Sequence, residues 1–389
     1  MSDATDQVFP YGEATVGGND ALTDVAGLRV GHARLRGDGA LSGTTVVLAP
    51  EGGAVAAVDV RGGGPGTRET DALDPRNLVQ RVDAVVLTGG SAYGLDAAGG
   101  VMAWLEEHGR GVPVLPGRVV PVVPAACVFD LGRGGEWGAR PNAATGRAAV
   151  VDAAASPFGG PVAMGNVGVG TGAVAGALKG GVGTASTVLP GAGAGGADVT
   201  VAALVVANAA GDVLDPRTGV LYGQYMHGTS TGAGRAPGGD DADDADGGTA
   251  EGQEGREWIR FPDPGVHAAA SLRLAEARAA SGPPPLNTTL AVVATDAGLV
   301  RAQAHKLAGT AHDGIARAVR PVHLLHDGDT VFALATGAVP LPPEDPLALN
   351  AVLAAGADVV SRAIVKAVLA AEPFSGPGGE FPSYRELYL

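Results

Sequence analysis

The sequence predicts a mixed fold in which β-strands and α-helices alternate along the chain. Residues 84–88 and 199–206 are short apolar runs, and the second is typical of a strand covered on both faces. Residues 300–319 and 350–371 have the length of helices, and Asn350 is the predicted cap of the second. With 64 glycines and only 4% aromatic residues, the chain favours close-packed helices and tight turns over large aromatic pockets.

Composition limits the class of protein. The 389 residues are 46% hydrophobic, enough to bury a core in one large domain or two ordinary ones. The sequence has a single cysteine, Cys127, which excludes an internal disulfide and fits a reducing, cytoplasmic compartment. The acidic N-terminus lacks the apolar segment of a signal peptide, and no apolar run of about 18 residues predicts a membrane span. The net charge of −15 argues against nucleic acid as a partner.

The first part of the chain predicts short strands joined by glycine-rich loops. Residues 1–26 are expected to be irregular, residues 44–49 and 54–60 to be paired strands, and residues 74–82 to be a short helix. The glycine-rich residues 61–67 lack the Lys-Ser/Thr ending of a phosphate-binding loop. They are therefore interpreted as a loop near a functional site.

Ser91 follows the strand predicted at residues 84–88. A nucleophilic serine at a strand–helix turn needs glycine two residues away on each side, but position 93 is Tyr. Ser91 is therefore predicted to be the N-cap of the next helix rather than a nucleophile.

The middle of the chain is rich in glycine. Residues 119–131 are predicted to be strand-like, and residues 134–150 to be a loop followed by a short helix. Residues 165–183 contain one cation, Lys179, which is interpreted either as an ordinary solvated lysine or as a charge held against a reacting carbonyl. Residues 191–196 have a dinucleotide-like glycine spacing, but they precede a strand, which is the wrong context for such a site.

Two further features precede the C-terminal third. Asn208 ends the strand at residues 199–206, where its amide either starts a turn or donates to an oxyanion. Residues 228–257 carry eight acidic residues in a low-complexity stretch and are predicted to be a disordered insertion. A short helix is predicted at residues 272–279, ended by the prolines that follow.

The junction between Asn287 and Thr288 is the most informative stretch. A rigid proline-rich segment leads to it, and an apolar strand at residues 288–295 begins there. One interpretation is that Thr288 is only a good strand residue. The other is self-cleavage, in which the Thr288 hydroxyl attacks the Asn287 carbonyl and leaves a free α-amine with a pKa of about 7.7–8.0 as a base.

Residues beyond this strand offer more candidates. His305 and His312 are seven apart on a predicted helix, but two histidines without a third ligand seldom form a metal site. Residues 321–325 and 330–336 are predicted strands flanking Asp327 and Asp329, which are either turn residues or paired carboxylates beside the Thr288 amine. The tail, residues 373–389, is expected to be loose or to dock on a neighbouring molecule.

Three segments together resemble a known family. They are residues 287–296, Asn-Thr-Thr-Leu-Ala-Val-Val-Ala-Thr-Asp; residues 326–330, His-Asp-Gly-Asp-Thr; and residues 87–96, Leu-Thr-Gly-Gly-Ser-Ala-Tyr-Gly-Leu-Asp. They are similar to the self-processing L-aminopeptidase/D-esterases, β-peptidyl aminopeptidases and nylon-oligomer hydrolases, most of all to the nylon-oligomer branch. The resemblance runs from about residue 27 to about residue 371.

The resemblance implies an α+β fold: a four-layer αββα sandwich, similar to N-terminal-nucleophile hydrolases but with its own strand connectivity. It implies one domain, made of an α-chain of residues 1–287 and a β-chain of residues 288–389. It also implies a homotetramer of processed units, with no cofactor and no metal.

The site residues carried over by the resemblance have separate roles. Thr288 is nucleophile and base, Asp327 and Asp329 orient its amine and hydroxyl, Lys179 is the active-site lysine, and Asn208 holds the oxyanion. Asn287 is the scissile partner. The substrate pocket is expected at Tyr93 and at Phe129, a position where relatives carry Tyr.

The implied reaction is hydrolysis of an amide through an acyl-threonine ester. The substrate is a peptide with a small N-terminal residue, a β-peptide or an ω-amino-acid oligomer, and the sequence does not choose among them. One alternative is an acyltransferase of ornithine-acetyltransferase type. Another is a ligand-binding protein without enzymatic activity, in which the glycine-rich loops hold the ligand.

Overall fold

The computed structural model describes residues 14–227, 259, 261–281 and 286–389. The predicted disordered insertion at residues 228–257 lies outside the described residues. The strands are β1 (Thr15–Val16), β2 (Arg29–Arg34), β3 (Gly43–Leu48), β4 (Ala54–Val60), β5 (Thr67–Arg68), β6 (Arg81–Val82), β7 (Ala84–Thr88), β8 (Val112–Leu115), β9 (Arg118–Val120), β10 (Ala125–Cys127), β11 (Val174–Ala175), β12 (Leu178–Lys179), β13 (Val182–Leu189), β14 (Val199–Val206), β15 (Leu290–Ala297), β16 (Thr330–Val339), β17 (Phe374–Gly376) and β18 (Gly379–Phe381). The α-helices are α1 (Ser91–Gly94), α2 (Ala97–Glu107), α3 (Ala143–Ala155), α4 (Gln224–His227), α5 (Pro264–Ser281), α6 (Arg301–Ala318), α7 (Pro346–Ala370) and α8 (Tyr384–Tyr388).

Two sheets form the centre of the molecule. The larger has seven strands in the order β1-β13-β14-β15-β16-β4-β6, and the smaller has five in the order β2-β3-β7-β10-β5. In the larger sheet β15 is antiparallel to β14 and parallel to β16. The start of β15 therefore lies between the end of β14 and the start of β16.

Three separate hydrophobic cores define four layers. One core joins α6 and α7 to the outer face of the seven-stranded sheet, with Ile315 and Val360 among its buried members. A second fills the space between the sheets and includes Phe332 and Leu87. The third joins α2 and α3 to the outer face of the five-stranded sheet. This order, helices, sheet, sheet, helices, is the predicted αββα sandwich.

Glycine allows the helix layers to approach the sheets closely. A β-carbon at Gly183 on β13 would lie 2.0 Å from the Ala363 carbonyl oxygen on α7. One at Gly31 on β2 would lie 2.3 Å from the Ala149 carbonyl oxygen on α3. Both distances are too short for any side chain, so these contacts require glycine.

The predicted pairing of residues 44–49 with residues 54–60 is wrong. β3 pairs with β2 and β7 in the smaller sheet, whereas β4 pairs with β16 and β6 in the larger one. The turn at residues 50–53 thus carries the chain from one sheet to the other. Both strands bury apolar side chains in the core between the sheets, so their sequence patterns look alike.

Several local predictions also need correction. Residues 75–80 form no helix, and residues 321–325 form a loop rather than a strand. Only parts of residues 119–131 are strand, since Pro121 and Pro124 interrupt the ladder. Asp345, not Asn350, caps α7, because its side chain accepts the Leu347 amide.

Ser91 and the C-terminal tail, residues 373–389, also differ from prediction. Ser91 is the first residue of α1, after an N-cap at Gly90, and has a φ of 51°. The tail is ordered on its own chain: β17 and β18 form a hairpin, and the Tyr384 hydroxyl donates to the Gly219 carbonyl at 3.0 Å.

Within the described residues, no helix combines the length and apolar character needed to cross a membrane.

Candidate active site

Asn287 and Thr288 lie just before β15, at the edge where β14 ends and β16 begins. Both are almost completely buried. The Thr288 amide donates to the main-chain carbonyl of Asn208 at 2.7 Å, and the Asn208 side-chain amide lies 3.4 Å from the Thr288 carbonyl oxygen. Asn208 therefore holds the main chain of Thr288 from both sides.

The carbonyl of Asn287 receives two hydrogen bonds. The Thr288 hydroxyl donates to it at 2.7 Å, and the Gly328 amide donates to it at 3.1 Å. A main-chain N–H aimed at a carbonyl oxygen can stabilise negative charge that develops there. The hydroxyl and the polarising amide thus meet at the Asn287–Thr288 bond.

The two predicted carboxylates flank Gly328 and bind main-chain amides. Asp327 accepts from Leu324 at 3.0 Å and from Ala210 at 3.4 Å. Asp329 accepts from the Thr289 amide at 2.7 Å and from His323 Nδ1 at 2.8 Å. Burial, and then the neighbouring Asp329, raise the pKa of the Asp327 carboxyl above its ordinary value.

The glycine-rich loop at residues 61–67, which was predicted to lie near a functional site, contacts Asp327 and Asp329. The Gly64 amide donates to the Asp327 carbonyl at 2.8 Å, and the Arg61 amide donates to the Asp329 carbonyl at 3.0 Å. A β-carbon at Gly62 would lie 2.3 Å from the Asp329 nitrogen, so the loop fits there only as glycine.

Arg133 connects the two asparagines and was missed from the sequence. Its Nη1 donates to Asn208 Oδ1 at 2.5 Å and to the Gly172 carbonyl at 2.6 Å, and its Nη2 donates to Asn287 Oδ1 at 2.5 Å. Arg133 is 4% exposed, and burial lowers its pKa to about 10, so the guanidinium stays charged at neutral pH. It is a buried cation beside the Asn287–Thr288 junction.

Lys179 is linked to Thr288 through the loop that binds Asn208. Its ammonium donates to the carbonyls of Gly170, Ala173 and Gly180 at 2.8–3.1 Å. The residue after Ala173 is Val174, whose amide donates to Asn208 Oδ1 at 3.1 Å, so this carbonyl cage adjoins the asparagine. Burial, and then the charge of Arg133, lower the pKa of Lys179 to about 7. The interpretation of Lys179 as a solvated lysine is therefore wrong.

A cavity of about 670 Å³ opens beside Asn287. Its wall is largely apolar, with Phe129, Leu131, Trp137 and Phe381, and Arg133 lies at the same wall. Phe129, one of the two residues predicted for a substrate pocket, lines this cavity. Tyr93 is exposed and has Arg140 stacked on its ring at 3.8 Å, and it is not among the described residues that line this cavity.

The two histidines predicted to lie on one face of a helix, now α6, have different environments. His305 is exposed, whereas His312 is buried and its Nε2 contacts the Asp59 carbonyl at 3.0 Å. Among the described residues, no group of three or more His, Cys, Asp or Glu side chains is arranged to hold a metal ion.

Three contributors to this arrangement were not identified from the sequence: Arg133, the Gly328 amide and His323. Gly328 stands between two singled-out aspartates, so its position offered a signal. Arg133 offered none, because it is one of 26 basic residues in the sequence and lies 154 positions from Asn287.

Comparison with known proteins identifies the family. Residues 20–381 match the sequence profile of peptidase family S58. The chain belongs to peptidase family S58. This membership confirms the resemblance inferred from the junction and the Asp-Gly-Asp segment.

Relatives of this S58 chain have names that agree with that assignment. An uncharacterized aminopeptidase of Mycobacterium tuberculosis is 48% identical over 384 residues, covering 95% of this chain and 98% of the relative. A 6-aminohexanoate-oligomer endohydrolase of Paenarthrobacter ureafaciens is 30% identical over 310 residues, covering 77% of this chain and 71% of the relative.

Solved structures support the fold of this S58 chain. A Burkholderia sp. beta-aminopeptidase superposes with a TM-score of 0.65 at 25% identity, covering 97% of this chain and 94% of that one. The L-aminopeptidase D-Ala-esterase/amidase of Ochrobactrum anthropi is described as a variant of the Ntn hydrolase fold. It superposes with a TM-score of 0.65 at 22% identity, covering 96% of this chain and 93% of that one. The predicted α+β fold of N-terminal-nucleophile-hydrolase type is confirmed.

The biochemical class follows from the family and its named relatives. This S58 chain is a hydrolase that acts on peptide or amide bonds. The alternative of a ligand-binding protein without enzymatic activity is therefore wrong.

Proposed function

We propose that the chain cleaves itself between Asn287 and Thr288, and that the released Thr288 is the N-terminal nucleophile of an amide hydrolase. The observation that carries this proposal is the geometry at the junction. The Thr288 hydroxyl lies 2.7 Å from the oxygen of the carbonyl it would attack, and the Gly328 amide polarises that carbonyl.

Self-cleavage proceeds by an acyl shift. The Thr288 oxygen bonds to the Asn287 carbonyl carbon, the C–N bond breaks, and the Thr288 nitrogen takes up the hydroxyl proton. Water then opens the ester, which leaves a carboxylate on Asn287 and restores the hydroxyl beside a free amine. The products are residues 1–287 and 288–389, which remain one domain because β15 stays paired with both β14 and β16.

Turnover uses the new amine as base. The Asn208 carbonyl already binds the Thr288 nitrogen at 2.7 Å, so the amine is held beside its own hydroxyl. The hydroxyl attacks the substrate amide, the amine carries the proton to the leaving amine, and water releases the acyl group. The Asn208 side-chain amide donates to the oxyanion of the substrate.

The remaining residues orient the Thr288 amine and hydroxyl and set the charge around them. Asp329 binds the main-chain amide of Thr289, the residue after the nucleophile, and Asp327 binds the amide of Leu324. We assign both carboxylates the role of orienting the amine. Arg133 places positive charge behind Asn208, where it favours negative charge on a reacting oxygen, and Lys179 adds to that charge when it is protonated.

The substrate is a peptide or a linear amide oligomer. The apolar wall of the cavity beside Asn287 supports acyl groups of moderate size. Relatives named as aminopeptidases and as 6-aminohexanoate-oligomer endohydrolases support the same range of substrates.

We also propose that the processed enzyme is a cytoplasmic homotetramer. The single buried Cys127 supports a reducing compartment, and the family resemblance supports the tetramer. Size-exclusion chromatography with light scattering should give four times the 38.1 kDa of one chain. A mass of one chain would contradict the tetramer.

A denaturing gel tests the self-cleavage. The purified protein should run as two pieces, and the smaller should begin Thr-Thr-Leu-Ala and have about a quarter of the total mass. Thr288→Ala should remain intact and inactive because it lacks the shared hydroxyl, whereas Thr288→Ser should retain some of both reactions. An intact wild-type band after long incubation would refute the proposal.

A further inference from the structure

We propose that the enzyme selects substrates whose acyl residue carries a carboxamide on its β-carbon, and that Arg133 and the Ala209 carbonyl recognise this group. The inference rests on the proposed function, since it takes the self-cleavage junction as the template for the substrate. It names a substrate class within the broad range of peptides and linear amides.

Both ends of the Asn287 side-chain amide are bound. Its oxygen accepts from Arg133 Nη2 at 2.5 Å, and its nitrogen donates to the Ala209 carbonyl at 2.8 Å. One partner is a pure donor and the other a pure acceptor. This arrangement matches a primary amide, whereas an ionised carboxylate lacks the donor, an ammonium lacks the acceptor and an alkyl group lacks both.

The two partners are fixed by the fold rather than by Asn287. Arg133 is anchored through Nη1 to Asn208 Oδ1 and to the Gly172 carbonyl. Ala209 follows β14, next to Asn208. The binding positions therefore persist when the residue at 287 is exchanged for another acyl residue.

A substrate reaches the same place because one nucleophile performs both reactions. Thr288 Oγ1 must approach the carbonyl carbon of the substrate as it approaches that of Asn287. The side chain of the substrate's acyl residue then projects where the Asn287 side chain lies. Asn287 and Arg133 both border the cavity of about 670 Å³, which gives a substrate access to this position.

Charge separates the possible acyl residues. The buried guanidinium of Arg133 repels an ammonium group, and a carboxylate would set one oxygen against the Ala209 carbonyl. The acidic residue at the cavity, Glu380, is paired with Arg273 at 2.9 Å. A leucyl side chain has the shape of asparagine but makes no hydrogen bond to Arg133 Nη2 or to the Ala209 carbonyl. Arg133 Nη1 keeps its own partners, and the Ala209 carbonyl still accepts from the Gly176 amide at 3.0 Å, so the loss is of these two hydrogen bonds alone.

The test compares four chromogenic amides on the processed wild-type enzyme. They are the p-nitroanilides of asparagine, aspartate, leucine and 2,4-diaminobutyrate, which differ chiefly at the two atoms in question. We expect kcat/KM for the asparaginyl substrate to exceed that for the leucyl substrate by roughly 10- to 100-fold, with the diaminobutyryl substrate poorest. A leucyl or diaminobutyryl substrate hydrolysed as fast as the asparaginyl one would overturn the inference.

Arg133→Met provides the second measurement. The readout is the ratio of asparaginyl to leucyl kcat/KM, which should fall toward one, and a ratio kept at the wild-type value would contradict the role of Arg133. If this variant does not fold, the wild-type substrate series still decides. Self-cleavage with hydrolysis of all four amides at similar rates would overturn the inference and leave the proposed function intact. Failure of both self-cleavage and hydrolysis would overturn the inference and the proposed function together.

Discussion

Gly328 approaches Thr288 so closely that a β-carbon at position 328 would lie 2.7 Å from the Thr288 hydroxyl oxygen. The same glycine donates its amide to the Asn287 carbonyl. A single residue therefore supplies the polarising N–H and leaves the space in which the nucleophile moves.

Gly328→Ala should block self-cleavage, because the added methyl group displaces the hydroxyl from the scissile carbonyl. We expect the variant to accumulate as one intact chain on a denaturing gel. Gly64→Ala is the matched control, since its β-carbon would meet the nearest atom, a carbonyl oxygen of Leu325, at an ordinary 3.6 Å. Normal processing of Gly328→Ala, or equal loss in the control, would contradict this explanation.

Asp327→Asn and Asp329→Asn should each lower amide hydrolysis strongly, by roughly 10²–10⁴-fold, because an amine without its orienting anion is a misplaced base. Self-cleavage should respond differently, since the Thr288 amine does not exist before the bond breaks. The measurement is the cleavage half-time on a gel alongside hydrolysis of a p-nitroanilide by the processed variants. Wild-type hydrolysis in both variants would show that the pair only shapes a turn.

Lys179 should make stability depend on pH above neutrality. Its pKa is about 7 in the folded protein and 10.5 ordinarily, so between these values the folded protein has released a proton that the unfolded chain retains. Unfolding then takes up a proton, and the free energy of unfolding rises with pH in this window. The melting temperature of wild type relative to Lys179→Met should therefore increase from pH 7 to pH 9.

The control for Lys179 is Lys306→Met, which alters an exposed lysine on α6. Its melting temperature should follow that of wild type across the same pH range. Parallel curves for wild type and Lys179→Met would show that the buried lysine does not lose its proton in this window.

Cys127 should be inert toward thiol reagents in the folded protein. The side chain is 3% exposed, and burial raises the pKa of its thiol to about 12, so the reactive thiolate is scarce. Iodoacetamide at pH 8 should leave both activity and mass unchanged, while the same reagent in guanidinium chloride should add one label. Labelling of the native protein with loss of activity would place a cysteine in the reaction.

The sequence by itself determined the features that lie close together along the chain. The Asn287–Thr288 junction and the Asp-Gly-Asp segment are each a short contiguous stretch, so the family could be inferred from them. The apolar runs that became β7, β14 and β15 could be recognised because strand burial leaves a local pattern.

Only the tertiary structure decided which distant groups meet. An apolar pattern shows that a strand is buried but not what covers it, which is why β3 and β4 were predicted to pair although they belong to different sheets. Arg133 comes from the loop after β10 of the five-stranded sheet and the Ala209 carbonyl from the end of β14 in the seven-stranded sheet, and the two meet at the Asn287 side chain. Lys179 reaches the carbonyl of Ala173, next to the residue that binds Asn208. The positions of these groups depend on long-range packing, which no local sequence pattern encodes.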